Sequence, residues 1–113
     1  MTGRGPRRSD LLQGTLDMLV LRTLSVASLH GYAIAQHIAR LSDGVLTADQ
    51  GSLYPALERL QRKGWVRSHL GKSPTGRKAR YYTITASGRR QLGEEVHGFE
   101  RVLRAIRQVM EGT

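Results

Sequence analysis

Six apolar side chains near the end of the chain follow one another at intervals of four, three, four, three and four residues. This is the a/d spacing of a coiled-coil seam, so we predict a helix capped by Thr85 or Ser87 that runs to about Met110. The seam is short for an isolated coiled coil and predicts packing on a partner subunit, with packing on the chain's own core as the alternative. The seam consists of Leu92, Val96, Phe99, Leu103, Ile106 and Met110.

Three earlier segments also carry apolar residues at helical intervals. Ser9 or Asp10 is the expected cap of the first helix. This helix is apolar on most of its faces, which indicates burial by a core and by a second subunit. A short turn at residues 28–30 leads into a second helix at residues 32–41. Residues 45–47 are then expected to form a short strand.

The third helix is predicted from Gln50 or Gly51 to about Lys63, and Gly64 is its expected C-terminal cap. Pro55 is assigned to its first turn, where the missing N–H of proline leaves no carbonyl unpaired.

Two β-prone segments, residues 65–70 and 80–84, flank a Gly- and Pro-containing loop and predict a hairpin. Helix, helix, helix, hairpin is the order of a winged helix-turn-helix, so the expected fold is mainly α with a small β-hairpin and a C-terminal dimerisation helix. We expect a flexible basic arm at residues 1–8, the winged helix-turn-helix domain at 9–85 and the dimerisation helix at 86–113.

The charge of the chain favours a polyanionic partner. Eighteen Lys and Arg residues face nine Asp and Glu residues, which gives a formal net charge of +9. Residues 59–93 contain ten basic residues and no acidic one. A solvated surface normally mixes both signs, so this segment indicates a surface that binds nucleic acid.

The third helix and the hairpin supply the candidate DNA-binding residues. A helix fits the major groove, and a basic hairpin can follow the phosphate backbone or enter the minor groove. Arg59 is long enough to reach either a base edge or a phosphate, and the sequence leaves that choice open. The candidates are Gln50, Ser52, Tyr54, Arg59, Arg62, Lys63, Lys72, Arg77, Lys78 and Arg80.

Five segments together resemble the PadR family of transcriptional regulators, especially its short members with a single C-terminal helix. They lie at residues 11–24 (LLQGTLDMLVLRTL), 30–34 (HGY followed by Ile34), 51–60 (GSLYPALERL), 64–66 (GWV) and 80–90 (RYYTITASGRR). The resemblance covers about nine-tenths of the chain. It implies a winged-helix homodimer that binds operator DNA, usually as a repressor.

The resemblance also implies that the first and last helices build the dimer, and that some relatives bind small aromatic or multidrug-like effectors between those helices. Phe99 is the one aromatic residue that the last helix offers to such an effector, whose identity the sequence does not give. The expected dimer contacts are the six seam residues together with Leu12, Leu16 and Leu19.

The sequence argues against an enzyme. It contains no cysteine, and its four histidines show no metal-binding spacing, so we expect neither a metal site nor another cofactor. It has no GxSxG motif and no paired acidic residues in its basic half. Asp17 and Arg22 interrupt the apolar run of the first helix, so we expect no membrane span and a cytoplasmic, nucleoid-associated protein.

These features together predict a sequence-specific transcriptional regulator, a repressor in the usual manner of the family, that binds a pseudo-palindromic double-stranded operator as a homodimer. The alternative is a general nucleic-acid-binding module, or a basic protein-interaction domain, that lacks sequence specificity.

Overall fold

A computed structural model describes residues 8–112 of the chain, with side chains from Gly14 onward. Residues 1–7 of the arm expected at 1–8, and the Leu12 side chain, lie outside this description. The first helix begins at Arg8, the last residue of the expected arm, so the expected cap at Ser9 or Asp10 is wrong. The elements are α1 (Arg8–Leu24), β1 (Leu29–His30), α2 (Gly31–Leu41), α3 (Gln50–Arg62), β2 (Val66–Lys72), β3 (Lys78–Ile84) and α4 (Ala86–Glu111). Their order confirms the predicted winged helix-turn-helix followed by a long helix.

The sheet has three antiparallel strands in the order β1-β3-β2. β2 and β3 form the predicted hairpin, with Val66 opposite Ile84 at its base and Lys72 opposite Lys78 near its tip. β1 is a correction, because residues 28–30 were expected to be only a turn. Instead, Leu29 and His30 pair with Tyr82 and Tyr81 on the free edge of β3.

The expected strand at residues 45–47 is wrong. Asp43 and Gly44 adopt positive φ values of 53° and 78°, which reverses the chain after α2. The Ser42 hydroxyl accepts a hydrogen bond from the Leu46 N–H at 3.0 Å and donates one to the Ile38 carbonyl at 2.8 Å. These bonds hold the segment against the end of α2 and leave it without a strand partner.

Each of the last three helices begins at a side chain that accepts a hydrogen bond from the first turn, which satisfies a backbone N–H that has no partner inside the helix. His30 Nδ1 accepts from the Ala33 N–H at 3.2 Å, and Asp49 Oδ1 accepts from the Ser52 N–H at 2.8 Å. Thr85 Oγ1 accepts from the Gly88 N–H at 3.0 Å. Gly64 ends α3 with a φ of 77°, as the sequence predicts.

The core lies between α1, α2, α3 and one face of the sheet. Full burial of each large aliphatic side chain stabilises such a core by about 1.5–3 kcal/mol. The two tyrosines of β3 point to opposite faces, so Tyr82 is buried while Tyr81 lies on the outer face. The largest fully buried side chains are Val20, Leu21, Ile34, Leu53, Leu57, Leu60 and Val66.

Pro55 lies in the second turn of α3, so its assignment to the first turn is wrong. Asp49 is the N-cap, and its carbonyl accepts from the Leu53 N–H at 2.9 Å, which makes Pro55 the sixth helical residue. A residue at this position would normally donate to the Gly51 carbonyl, and proline cannot. The helix nevertheless continues to Arg62.

The start of α4 is joined tightly to the base of the hairpin. Thr85 Oγ1 and Ser87 Oγ both donate to the Gly64 carbonyl, at 2.7 and 3.1 Å. Gly88 lies so close to the Trp65 carbonyl that a Cβ there would clash with backbone. From this anchor α4 extends away from the core, and the molecule measures 57 × 31 × 26 Å. Within residues 8–112 no helix combines the length and the apolar character that a membrane span requires.

Candidate nucleic-acid interface

On the face that points away from the core, α3 presents a row of four exposed residues, which we call the outward line. Gly51, Pro55, Glu58 and Arg62 follow at intervals of four, three and four, so they lie above one another on the helix. This line is opposite the buried leucines of the same helix, of which Leu57 is 1% exposed. The first half of the line carries only small side chains, so a groove can approach the backbone of α3 closely.

One flank of α3 joins the sheet. Gln61 Nε2 and Arg80 Nη1 both donate to the hydroxyl oxygen of Ser68, at 2.9 and 3.1 Å. A shallow open depression of about 410 Å³ lies beside this network and is also lined by Tyr54 and Tyr82. Burial raises the pKa of Tyr82, although Arg80 acts in the opposite direction. The network therefore fixes the position of the wing relative to α3.

Tyr54 packs against the beginning of α2. A Cβ atom on Gly31 would lie 2.6 Å from the Tyr54 hydroxyl oxygen and 2.9 Å from the ring, so only glycine allows this contact. The Tyr54 side chain remains 43% exposed. The ring and hydroxyl therefore pack where the two helices of the helix-turn-helix meet, and part of the side chain stays at the surface. This contact gives the glycine of the HGY segment and the tyrosine of GSLYPAL a common structural role.

Arg59 turns away from the outward face of α3. Its Nη2 lies 2.8 Å from Asp17 Oδ1 of α1, and the two side chains are only 25% and 20% exposed. Its Nε is buried and has no hydrogen-bond partner among the described residues. The sequence left open whether Arg59 reaches a base or a phosphate; the structure places its guanidinium against α1 instead. We therefore leave Arg59 out of the proposed DNA surface.

The remaining candidates on α3 are exposed. Gln50 and Ser52 lie in the first turn, and Arg62 lies at the end of the outward line. Lys63 is also exposed, but its Nζ lies 4.9 Å from the centre of the Trp65 ring, a cation–π contact that holds it near the end of the helix.

The wing presents its basic side chains at the tip of the hairpin. Lys72, Arg77 and Lys78 are all exposed there. The tip is closed by hydrogen bonds from the Ser73 N–H to the Arg77 carbonyl and from the Gly76 N–H to the Ser73 carbonyl, at 2.7 and 2.8 Å. Gly76 has a φ of 87°, which the turn requires.

The outer face of the sheet braces this wing. Tyr81 donates a hydrogen bond from its hydroxyl to the Lys72 carbonyl at 2.9 Å. Its ring lies between two histidines, edge-on to His30 at 5.6 Å and stacked with His69 at 5.8 Å between ring centres. These contacts connect the three strands and hold the hairpin backbone as far as Lys72, while the cationic side chains at the tip extend into solvent.

The charge of this surface is not neutralised within the chain. Among the described side chains, Asp17–Arg59 is the only salt bridge. Glu58 is the one anion on this face of α3, and it is outnumbered by Arg62 and by the three cations at the tip of the wing. The surface therefore has a net positive field, which attracts phosphates before contact is made.

The apolar face of α4 is largely uncovered. Leu92 packs on the core, and Leu103 is half-buried. The other seam residues are exposed: Val96, Phe99, Ile106 and Met110 at 36%, 44%, 52% and 78%. The exposed Val102 and Val109 widen the stripe beyond the predicted seam. Leu16 and Leu19 of α1 are partly buried against the core, so their role in a dimer stays a prediction.

Sequence reasoning did not select Glu58, although it lies at the centre of the outward line. The sequence pattern could have indicated it, because the residues of the outward line recur at intervals of four, three and four and so lie on the helix face opposite the leucines. A prediction based on positive charge overlooks Glu58, because a lone acidic residue at the edge of a basic segment is not an expected DNA contact.

A helix-turn-helix whose second helix is exposed and is flanked by a basic wing defines a winged-helix DNA-binding protein. Comparison with known families gives the same answer: residues 20–94 match the model of the transcriptional regulator PadR-like family. The chain belongs to the PadR-like family of transcriptional regulators. This membership confirms the predicted family and the expectation of a regulator rather than an enzyme.

Individual relatives agree with the family match. The chain is 32% identical over 105 residues to a Lysinibacillus sphaericus protein named uncharacterized protein X, covering 93% of this chain and 96% of the relative. A PadR-like transcriptional regulator from Bacillus cereus superposes with a TM-score of 0.77 at 27% identity, covering 92% and 99% of the two chains. A transcriptional regulator from Clostridium thermocellum gives a TM-score of 0.80 at 25% identity, covering 88% and 96%.

Proposed function

We propose that this regulator is a homodimer that binds a pseudo-palindromic operator sequence-selectively and represses transcription from it. The observation that carries the proposal is the uncovered apolar stripe of α4 on the same molecule as a predominantly basic face. The stripe favours a second apolar helix, and the basic face favours a polyanion. A second copy of the chain supplies the helix, and duplex DNA supplies the charge.

The two features together favour a defined DNA geometry. In the proposed dimer the two α3 helices enter successive major grooves on one side of the duplex, with half-sites about 34 Å apart. The wings lie over the flanking backbone, where Lys72, Arg77 and Lys78 contact phosphates. Such contacts supply affinity that falls as salt rises, while the residues of α3 supply the choice of sequence.

Within this interface the first turn of α3 positions the protein. The phosphates of one DNA strand accept hydrogen bonds from Gln50, Ser52 and the Tyr54 hydroxyl, together with the backbone N–H groups at the start of the helix. Arg62 reaches base edges from the outward line, and Arg80, opposite Leu70 in the hairpin, contacts the DNA backbone. The protein acts in the cytoplasm at the nucleoid, and an effector that enters between the terminal helices would alter the spacing of the two heads.

Selection from a random double-stranded DNA library tests the proposal, together with light scattering and gel shift on the promoter of its own gene. We expect a two-fold symmetric motif, the mass of a dimer and a shift that weakens steeply with salt. Occupancy of the site should lower transcription from the same promoter in a purified system.

Equal affinity for unrelated sequences, with no enriched motif, would replace the proposal by the general nucleic-acid-binding module. If the protein is a monomer at the concentrations that saturate DNA, the proposal of a homodimer is wrong. Increased transcription in the purified system would make the protein an activator.

A further inference from the structure

Glu58 carries an exposed carboxylate at the centre of the face that the proposed function turns toward DNA. It is the one acidic residue of α3 and lies between Pro55 and Arg62 on the outward line. Within the described part of the chain no salt bridge or side-chain hydrogen bond engages it, even though Arg62 follows one turn later. Its spacing from Arg62 contributes at most about 0.5 kcal/mol to the helix. Glu58 also lines the open depression beside Arg80, but the two form no ion pair, so the fold accounts for little of an acidic residue at this place.

A carboxylate here opposes binding to phosphates. The chain has a net charge of +9, and its segment 59–93 contains no acidic residue at all. An anion at the centre of the contact face lowers affinity for every DNA sequence unless it gains a hydrogen bond from particular bases. Its chemistry restricts which bases those are, because an ionised carboxylate accepts hydrogen bonds and donates none.

We propose that Glu58 is a specificity-determining residue that accepts a hydrogen bond from the exocyclic amino group of a cytosine in each half-site. The inference rests on the proposed function and names what α3 reads. In the major groove only cytosine N4 and adenine N6 offer amino donors. Adenine places its N7 acceptor beside that donor, which repels a carboxylate, whereas cytosine places a C–H there. Cytosine is therefore the preferred base.

The neighbours of Glu58 permit this contact. Gly51 and Pro55 have short side chains, so the first two turns of α3 can lie close to the base edges and bring the Glu58 carboxylate within reach. Arg62 follows four residues later, which is about 6 Å along the helix axis. Its guanidinium suits the O6 and N7 acceptors of a guanine, about two base pairs from the cytosine.

The test compares Glu58→Gln and Glu58→Ala with the wild-type protein in selection from a random double-stranded library, followed by titration of single-base variants of the enriched site. Glu94→Gln on α4 is the matched control, because it removes the same charge from an exposed position opposite the seam. Thermal unfolding checks the fold. Since Glu58 is exposed, its variants should melt within about 3 °C of the wild type.

We expect the wild-type protein to prefer cytosine at one position of each half-site by about 5- to 150-fold over the other bases. Glu58→Ala should lose the preference at that position only. Glu58→Gln should move it to adenine, because an amide pairs with both N6 and N7 of adenine. Glu94→Gln should retain the cytosine.

The outcomes separate the two proposals. A wild-type motif that survives both Glu58 substitutions unchanged, with affinity rising equally for all sequences, overturns this inference and leaves the proposed function standing. A wild-type preference for adenine at the position would replace cytosine by adenine as the base read. A wild-type protein that enriches no motif overturns the proposed function and this inference with it.

Discussion

Asp17 and Arg59 form a salt bridge between α1 and α3, and breaking it tests whether Arg59 supports the fold or contacts DNA. The pair is well placed for the first role, since Arg59 Nη2 and Asp17 Oδ1 are 2.8 Å apart and the side chains are only 25% and 20% exposed. The perturbations are Asp17→Ala, Arg59→Met, which keeps an apolar stem of similar length, and the double variant.

The magnitude follows from the burial. Exposed ion pairs contribute about 0–1 kcal/mol, and removal of one member of a fully buried pair costs about 3–5 kcal/mol. This pair lies between those limits, so we expect Asp17→Ala to lower the free energy of unfolding by about 2 kcal/mol. The Arg59 Nε already lacks a partner, and the substitution strands the rest of the guanidinium as well. The melting temperature should fall by about 6–12 °C.

The assay is thermal and urea unfolding at one fixed protein concentration, because dimer formation makes apparent stability depend on concentration. The double variant should show a coupling free energy of about 1–2 kcal/mol between the two sites. Gel shifts over a range of salt complete the comparison. A purely structural Arg59 leaves the salt dependence of DNA binding unchanged in Arg59→Met once the fraction of folded protein is taken into account.

The opposite pattern would refute this reasoning. If Arg59→Met unfolds like the wild type, shows no coupling with Asp17→Ala and lowers the salt slope by about one unit, then Arg59 leaves Asp17 to contact a phosphate.

Gly88→Ala should destabilise the protein by about 3 kcal/mol because its Cβ would meet backbone, whereas Gly93→Ala, with open space around it, should stabilise α4 by about 1 kcal/mol; equal melting temperatures would contradict the close approach. Replacing Arg77 and Lys78 by alanine should lower the salt slope by about 0.9 for each phosphate that the wing no longer neutralises, and an unchanged slope would take the wing off the DNA. Phe99→Glu should give monomers by light scattering with weak operator binding; surviving dimers would place the interface elsewhere.

Long periodic segments made most of the fold predictable. The leucines of α3 and the seam of α4 repeat over several turns, so the helices that carry them follow from spacing alone. The hairpin follows from two β-prone segments around a turn. Thr85 and Gly64 mark helix ends because their chemistry suits only a few positions of a cap.

Short elements escaped prediction because they depend on partners far away in the sequence. β1 contains two residues, and it is a strand only because Tyr81 and Tyr82 offer a free edge, about fifty residues later in the chain. At residues 45–47 the apolar composition resembled a strand, but Val45 is 79% exposed and the Ser42 hydroxyl occupies the Leu46 N–H.

The sequence predicts which face of α3 is polar, but not which residues at the border of that face contact another helix. Periodicity separates the buried side of α3 from its polar side, and Arg62 lies on the polar side as expected. Arg59 lies between the two, and whether that flank meets solvent or another helix depends on where α1 packs. The Asp17 contact spans 42 positions of sequence, which no local pattern reveals.

The close approach of Gly88 to the Trp65 carbonyl fixes the first turn of α4 to the base of the hairpin, so a rotation of this helix carries the winged helix-turn-helix with it. The 26 residues of α4 give it a length of about 39 Å. In the proposed dimer, a tilt of about 5° where the two α4 helices cross would move the attached winged helix-turn-helix by about 3 Å, close to the spacing of about 3.4 Å between base pairs. In the proposed dimer, a small effector inserted between the two α4 helices would therefore be enough to move the α3 helices out of register with the operator.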